Sequence, residues 1–189
     1  FQKNFNVEKE NINLKVDDFS NTLIQQIDVM SSIASAFSDF AKMPAQKKEL
    51  LDLKELIESA LDIFDKELIN FSFDTKVTLA NLDKSQLIRV LTNLVKNAIQ
   101  AVPNDRTPII DVYLSSTVTD VIIKISDNGS GIDEDNKLKI FEPRFTTKSS
   151  GMGLGLPIIN NIIKSFGGTI EFETKMNIGT TFTISLPKN

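Results

Sequence analysis

Two glycine-rich stretches decide the fold: DNGSG at residues 127–131 and GMGLGLP at residues 151–157. The first follows the apolar run VIIKIS, which predicts a buried strand that ends at Asp127. The second precedes an apolar helical pattern, and backbone N–H groups at a helix start favour anions. Glycines also let the backbone approach a ligand closely beside the Asp127 carboxylate. The two stretches therefore predict a carboxylate that contacts a ligand and a helix start that binds an anion. Each stretch alone is also typical of an ordinary turn.

The composition is that of a folded, soluble domain with a small appendage. The chain has 189 residues, of which 41% are apolar and 24% charged. Its net charge is −4 and no stretch concentrates Lys and Arg, which argues against a nucleic-acid partner. No apolar run is long enough for a membrane span, so we expect no membrane contact by this portion. The absence of Cys and His excludes disulfides, thiolate metal sites and histidine proton shuttles.

The N-terminal segment predicts a helix from about Asp17 to Ala41. Its apolar residues alternate steps of four and three, which is a heptad seam for helix packing. The seam consists of Leu23, Ile27, Met30, Ala34, Phe37 and Ala41. It predicts a bundle with a second chain or with a missing upstream helix, or else an ordinary helix docked on its own domain. The stretch MPAQKKE at residues 43–49 predicts a linker, which divides the chain into domains 1–45 and 46–189.

The second domain predicts a mixture of helices and strands. Asp52 with Glu55, and Asp83 with Gln86, have capping-box spacing ahead of helical apolar patterns. The predicted elements are a helix at about 53–64, strands at 69–73 and 76–80, a helix to about 102, strands at 111–116 and 121–127, an apolar helix after the second glycine stretch, and strands at 169–174 and 180–187. This order predicts an α+β protein, a two-layer α/β sandwich with helices on one face of the sheet.

Two asparagines in the helix NLVKNAIQA supply a candidate metal ligand. Asn93 and Asn97 are four residues apart, so both amides project from one helix face. An amide oxygen is a hard, neutral ligand that can complete an octahedral Mg²⁺ shell made mostly of waters and phosphate oxygens. The alternative is a pair of solvated asparagines.

Further candidates lie around the two glycine stretches. The carboxylate of Asp127 can accept a hydrogen bond from an exocyclic amine such as that of adenine. Backbone N–H groups at the start of the apolar helix can cradle phosphates. The glycines there are Gly151, Gly153 and Gly155.

Residues 139–151, KIFEPRFTTKSSG, are too polar and irregular for the core and predict a mobile lid. Lys148 in this lid can meet a phosphate charge. The alternative is a long surface loop.

The four motifs occur in one order: Asn-x-x-x-Asn on a helix, then DNGSGI, FEPRFTTK and GMGLGL. In this order they resemble the N, G1, F and G2 boxes of the sensor histidine kinases. The catalytic domains of that family share the Bergerat ATP-binding fold with type II topoisomerases, Hsp90 chaperones and MutL repair proteins. The likeness covers residues 51–188, and SDFAKMP before it resembles the second dimerisation helix of NtrY-like sensor kinases. The resemblance implies a Bergerat fold preceded by a long helix of a dimerisation bundle.

The resemblance also implies ATP and Mg²⁺ as ligands and assigns roles to residues. It implies Asn97 as the Mg²⁺ ligand, Asn93 and Lys148 as catalytic residues beside the phosphates, and Asp127 as the acceptor for the adenine amine. The implied nucleotide-binding residues are Asn93, Asn97, Asp127, Gly129, Gly131, Ile132, Lys148, Gly151, Gly153, Leu154, Gly155 and Thr180. This chain has Arg144 at a position where many relatives carry an aromatic residue. The packing role of that aromatic residue in the lid is therefore not assigned to Arg144.

By resemblance, the activity is phosphoryl transfer to a protein histidine. ATPase branches of this fold carry a Glu general base one helical turn before the metal-binding Asn, where this chain has Asn93, which disfavours hydrolysis. The implied acceptor is a His on a missing dimerisation helix of a homodimeric, membrane-anchored parent, with this portion in the cytoplasm. The implied partner is the receiver domain of a response regulator. Two alternatives stay open: a degenerate kinase that binds nucleotide or docks a partner, and an ATP-driven clamp.

Overall fold

The computed structural model describes residues 46–74, 78–143, 145–146 and 153–188, together with residues 19, 20, 22–24, 26, 27 and 30. The chain divides into two compact units, Phe1–Pro44 and Ala45–Asn189. The described residues of the first unit are helical, and their large apolar side chains are exposed. The rest of the predicted helix lies outside the described residues, so the dimerisation helix stays a prediction. Within the described part, no helix has the length and apolarity needed to cross a membrane.

The second unit holds seven strands and four α-helices in its described residues. In chain order they are β1 (Lys48–Asp52), α1 (Leu53–Leu61), β2 (Ile69–Phe73), β3 (Leu79–Asp83), α2 (Lys84–Ala101), β4 (Ile110–Ser116), β5 (Asp120–Asp127), α3 (Glu134–Lys137), α4 (Gly155–Ser165), β6 (Thr169–Lys175) and β7 (Gly179–Pro187). Five of the strands form the main sheet in the order β2-β4-β5-β7-β6. β2 and β4 are parallel, and the other neighbours are antiparallel. Each strand of this sheet lies within one residue of its predicted bounds.

The helices cover one face of the main sheet. Along β5 the alternate residues Val121, Ile123 and Ile125 are buried, whereas Lys124 between them is exposed. α2 and α4 bury apolar stripes against this face and against each other. The buried residues include Leu87, Val90, Leu91, Leu94 and Val95 in α2, and Ile158, Ile159, Ile162 and Ile163 in α4. The prediction of a two-layer α+β sandwich is confirmed.

The beginning of the second unit differs from the prediction. Lys48 and Glu49, predicted as linker, belong to β1, which pairs antiparallel with β3 in a separate two-stranded sheet. The linker prediction is wrong at these two positions. Leu51 is the one buried residue of β1, so the strand has no alternating apolar pattern by which the sequence could reveal it.

β3 lies later in the chain than predicted, at Leu79–Asp83 rather than at 76–80. Residues 75–77 lie outside the described residues. The strand buries Ala80 and Leu82 against the helices and ends at the residue that caps α2. The short helix α3, which consists of polar and charged residues, is an element that the apolar patterns do not predict.

The predicted helix caps are confirmed in part. Oδ1 of Asp52 accepts from the Lys54 N–H, and Oδ1 of Asp83 accepts from the Gln86 N–H, both at 3.0 Å. The reciprocal half of the second capping box is not formed, because Oε1 of Gln86 is buried without a partner among the described residues. Asp83 is also the last residue of β3, in register with Lys48 of β1.

Candidate functional site

The predicted asparagines lie on the same side of α2. The buried stripe of the helix faces the sheet, and Asn93 and Asn97 are half-buried. The amide nitrogen of Asn93 donates to the carbonyl oxygen of Arg89 at 2.8 Å. This bond engages the nitrogen, so the amide oxygen is the atom suited to accept a hydrogen bond or to approach a cation.

The start of α4 lies close to Asn97. A Cβ atom placed on Gly155, the first residue of α4, would lie 3.9 Å from Nδ2 of Asn97. Leu154 precedes the helix without a side-chain capping bond, and the first turn carries no acidic residue. Within the described residues, the backbone N–H groups at this helix start therefore receive no side-chain cap from Leu154, which leaves them suited to an anion. Gly153 has φ +63°, a left-handed conformation that favours glycine.

Asp127 ends β5, and two backbone donors fix its carboxylate. Oδ1 accepts from the Gly129 N–H at 2.8 Å and from the Thr180 N–H at 3.1 Å. The first bond closes the turn, and the second joins the turn to β7. The orientation of the carboxylate thus depends on two segments that are distant in sequence.

The turn after Asp127 rests on the C-terminal end of α2. Ser130 donates its backbone N–H to the carbonyl oxygen of Ala101 at 3.0 Å. A Cβ atom on Gly129 would lie 2.7 Å from the same oxygen, which no real side chain tolerates. Gly131 has φ +75°, and a Cβ atom there would lie 2.5 Å from the carbonyl oxygen of Lys175. Both glycines are therefore required for close packing of the turn.

A chain of hydrogen bonds connects two of the predicted residues, Ile132 and Thr180. The Ile132 N–H donates to Oγ1 of Thr174 at 2.9 Å, and this hydroxyl lies 3.0 Å from Oγ1 of the buried Thr180. The sequence prediction missed Thr174. A signal for it exists, since it occupies an inward position of β6 in line with the half-buried apolar residues Ile170 and Phe172.

α2 brings the two halves of the site together. Asn97 lies beside the start of α4, and Ala101, one turn further along the helix, holds the turn of Asp127. Four residues of α-helix span about 6 Å. A carboxylate suited to a base amine and a helix start suited to phosphates thus adjoin neighbouring turns of one helix.

Three residues that the prediction singled out, Arg144, Lys148 and Gly151, lie outside the described residues, and their roles stay predictions. The beginning of the predicted lid belongs to the core instead. Ile140 is 5% exposed, and the ring of Phe141 lies 6.0 Å from that of Phe172, edge to face. The prediction that the whole segment is too polar for the core is wrong at Ile140, which is buried; Phe141 is half-buried.

The donor set fits Mg²⁺ held mainly by a nucleotide. The described residues contain no cluster of three His, Cys, Asp or Glu side chains that could hold a metal by themselves. Mg²⁺ bound with a nucleotide keeps several waters and takes one or two protein oxygens besides the phosphates. The amide of Asn97, which lies beside the helix start at Gly155, has the chemistry of such a single ligand.

A family model matches residues 82–189, which include α2, the turn of Asp127 and α4. The model describes the histidine kinase-, DNA gyrase B- and HSP90-like ATPases. The chain belongs to this ATPase family. Membership in this ATPase family implies that the chain binds ATP, as the four motifs predict.

Relatives of this family member include sensor histidine kinases. Sensor histidine kinase ZraS of Escherichia coli strain K12 is 33% identical over 176 residues, which are 90% of this chain and 37% of ZraS. Nitrogen regulation protein NtrY of Azorhizobium caulinodans is 32% identical over 165 residues, which are 83% of this chain and 21% of NtrY. The chain thus spans well under half the length of these curated relatives. The predicted resemblance to sensor histidine kinases is confirmed.

Solved structures of histidine kinase ThkA share the fold of this ATPase. The nucleotide-free catalytic domain of ThkA has a TM-score of 0.66 at 34% identity, covering 76% of this chain and 97% of that domain. ThkA in complex with response regulator protein TrrA has a TM-score of 0.69 at 28% identity, covering 86% of this chain and 49% of that chain. The sheet packed against helices is therefore that of a histidine kinase catalytic domain.

Proposed function

We propose that the chain is the catalytic ATP-binding portion of a sensor histidine kinase, which transfers the γ-phosphoryl group of ATP to a protein histidine. The observation that carries the proposal is the convergence on α2. The Asp127 carboxylate, fixed by the N–H groups of Gly129 and Thr180, adjoins one turn of the helix, and the start of α4 adjoins the preceding turn. Base and phosphates of one nucleotide can therefore be held beside these two neighbouring turns of α2.

The roles follow from the chemistry of each group. Asp127 accepts a hydrogen bond from the adenine amine, a charge-assisted contact worth about 1.5–3 kcal/mol. The first turn of α4 donates backbone N–H groups to phosphate oxygens, helped by the helix dipole. Asn97 would hold Mg²⁺ together with the phosphates, and the ion supplies neutralisation of their negative charge. Lys148 and Asn93 complete the positioning of the γ-phosphoryl group in this proposal.

Asn93 favours transfer to a side chain over hydrolysis. Its amide nitrogen donates to its own helix at Arg89, and an amide has no basic atom that could take a proton from water. Phosphoryl transfer depends chiefly on positioning and on charge neutralisation, neither of which requires a carboxylate at this position.

The acceptor of the phosphoryl group and the protein partners of the chain are also part of the proposal. The chain contains no His, so the proposed acceptor belongs to a polypeptide segment other than these 189 residues. The ThkA complex with a response regulator supports a receiver-domain Asp as the next acceptor in the relay. A homodimeric, membrane-anchored parent with this portion in the cytoplasm, which the resemblance to sensor histidine kinases implies, is part of the same proposal.

The decisive experiment titrates Mg-ATP into the wild type and into Asp127→Asn by calorimetry. The variant keeps an oxygen for the Gly129 and Thr180 N–H groups but loses the negative charge, so we expect a folded protein that binds ATP about tenfold more weakly or worse. Asp120→Asn, at the opposite end of β5, is the matched control and should bind like the wild type. Full affinity in Asp127→Asn would refute the assigned role of the carboxylate.

Phosphoryl transfer is tested separately from binding. The chain is incubated with γ-labelled ATP and a supplied dimerisation domain that carries the acceptor His. We expect acid-labile label on that domain and slow release of inorganic phosphate. ATP binding without transfer would instead support a degenerate nucleotide-binding module, and rapid steady-state hydrolysis would support an ATP-driven clamp.

A further inference from the structure

The loop between α2 and β4 carries Arg106, whose side chain contacts the backbone next to Asp127. Nη1 of Arg106 donates to the carbonyl oxygen of Asn128 at 2.7 Å and also lies 3.3 Å from that of Asn177. Asn128 directly follows Asp127, and Asn177 lies in the turn between β6 and β7. We propose that Arg106 is a positioning residue for adenine recognition, and this inference rests on the proposed role of Asp127.

The two carbonyl groups belong to the two segments that hold the Asp127 carboxylate. One segment supplies the Gly129 N–H and the other, after the turn at Asn177, supplies the Thr180 N–H. The segments also meet directly, since the Asn177 N–H donates to the carbonyl oxygen of Ser130 at 2.8 Å. A single cationic donor that spans both backbones therefore fixes the separation of the donors on which the carboxylate rests.

The arginine acts from a fixed loop. The Arg106 N–H donates to the carbonyl oxygen of Pro103 at 3.0 Å, which closes a turn. The Asn128 side chain binds the loop at two points, accepting from the Ile109 N–H and donating to the carbonyl oxygen of Thr107, both at 3.0 Å. The loop and the turn after Asp127 are thus joined by three side-chain bonds, of which the one from Arg106 is charge-assisted.

This geometry predicts an effect on base selection. Arg106 contacts the backbone directly after Asp127, the residue that we assign to adenine, whereas the first turn of α4, which we assign to phosphates, adjoins Asn97. Loss of the guanidinium should loosen the carboxylate and weaken the contact with the adenine amine. Phosphate contacts should change little. Arg106 should therefore affect the preference for adenine over other bases and not the general affinity for nucleotides.

The test compares ATP with inosine triphosphate, which carries a carbonyl oxygen in place of the exocyclic amine. Dissociation constants for both nucleotides are measured by calorimetry on the wild type and on Arg106→Met, which keeps the aliphatic stem and removes the donors. We expect a preference for ATP in the wild type and a drop of that preference by about three- to tenfold in the variant. Thermal melting monitors the fold of each protein.

Lys188→Met is the matched control, because Nζ of Lys188 donates to the carbonyl oxygen of Thr117 in the turn before β5, at the end of that strand opposite to Asp127. It should leave the ATP preference unchanged. Arg106→Met in an Asp127→Asn background should also add nothing to the loss of preference, since the group through which it acts is gone. An Arg106→Met variant with the wild-type preference would overturn the inference. A wild type without any preference would instead overturn the proposed role of Asp127.

Discussion

At the scale of single residues, glycine occupies two positions of the site for different physical reasons. Gly179 has φ +142°, and a Cβ atom there would lie 1.8 Å from the carbonyl oxygen of Asp127, so the protein itself excludes a side chain. Among the described residues, the nearest atom that a Cβ on Gly155 would meet outside its own helix is Nδ2 of Asn97 at 3.9 Å, an ordinary van der Waals contact. These neighbours do not require glycine there, and in the proposed function the lack of a side chain lets a phosphate approach the helix start.

This contrast predicts opposite effects of the same substitution. Gly179→Ala must displace the end of β5 and should lower the free energy of unfolding by about 3 kcal/mol or more. Gly155→Ala should raise it by up to about 1 kcal/mol, because alanine is the better helix former. The added methyl group should nevertheless weaken ATP binding at the helix start. Urea denaturation and ATP titration of both variants check this, and a destabilised Gly155→Ala protein with normal ATP affinity would contradict it.

At the scale of elements, the position of α2 depends on its N-cap. The carboxylate of Asp83 is 6% exposed and accepts bonds from the Lys47 N–H at 2.9 Å, the Ser85 hydroxyl at 2.7 Å and the Gln86 N–H at 3.0 Å. One side chain therefore ties β1 to the first turn of the helix that carries Asn93. Burial alone would raise the pKa of Asp83, but these hydrogen bonds outweigh it and lower the pKa below 3.8.

The lowered pKa predicts a pH dependence of stability. Because the folded pKa lies below the unfolded one, the carboxylate stabilises the fold above the unfolded pKa, and this contribution is lost as the pH falls through the folded pKa. Asp83→Asn should cost about 1–2 kcal/mol at pH 7, and the difference from the wild type should shrink below about pH 4. Denaturation between pH 7 and pH 3 measures it. The exposed cap variant Asp65→Asn should stay within about 0.5 kcal/mol of the wild type.

At the scale of the whole molecule, the site joins parts of the chain that are distant in sequence. The turn of Asp127 contacts the end of α2 through Ala101 and β7 through Thr180, and the start of α4 lies beside Asn97. A ligand that contacts the turn and both helices should therefore stabilise the second unit as a whole. Ligand binding to the native state alone shifts the folding equilibrium by mass action.

We accordingly expect Mg-ATP to raise the melting temperature. At a nucleotide concentration of one hundred times Kd, the free energy of unfolding should rise by about 2.7 kcal/mol, or roughly 5–10 °C. Asn97→Ala should lose the part of the shift that depends on Mg²⁺ while keeping the part seen with ATP and a chelator. Thermal melts with and without Mg²⁺ test this, and an unchanged Mg²⁺ increment in Asn97→Ala would argue against a metal ligand at that position.

The elements that the sequence predicted well share a strong periodic signal. α2 buries apolar residues at helical spacing, and along the five strands of the main sheet more and less exposed residues alternate over most of their length; each element lies close to its predicted bounds. β1 buries one residue, Leu51, and α3 buries none, so neither has a period that could be recognised. The polar residues around Ile140 and Phe141 predict a lid and give no local signal that Ile140 is buried or that Phe141 contacts Phe172.

The sequence by itself determined the family, the layer architecture and the residue types of the site, since these depend on local patterns and on the order of four short motifs. Only the tertiary structure decided what holds the site together: Thr180 on the carboxylate of Asp127, Thr174 beneath it, and Arg106 across the two loops. Arg106 lies 22 positions from Asn128 and 71 from Asn177, Asp127 lies 53 from Thr180, and Ile132 lies 42 from Thr174. Local periodicity carries no information on such contacts, because packing of the whole sheet and its helices sets the distance between them.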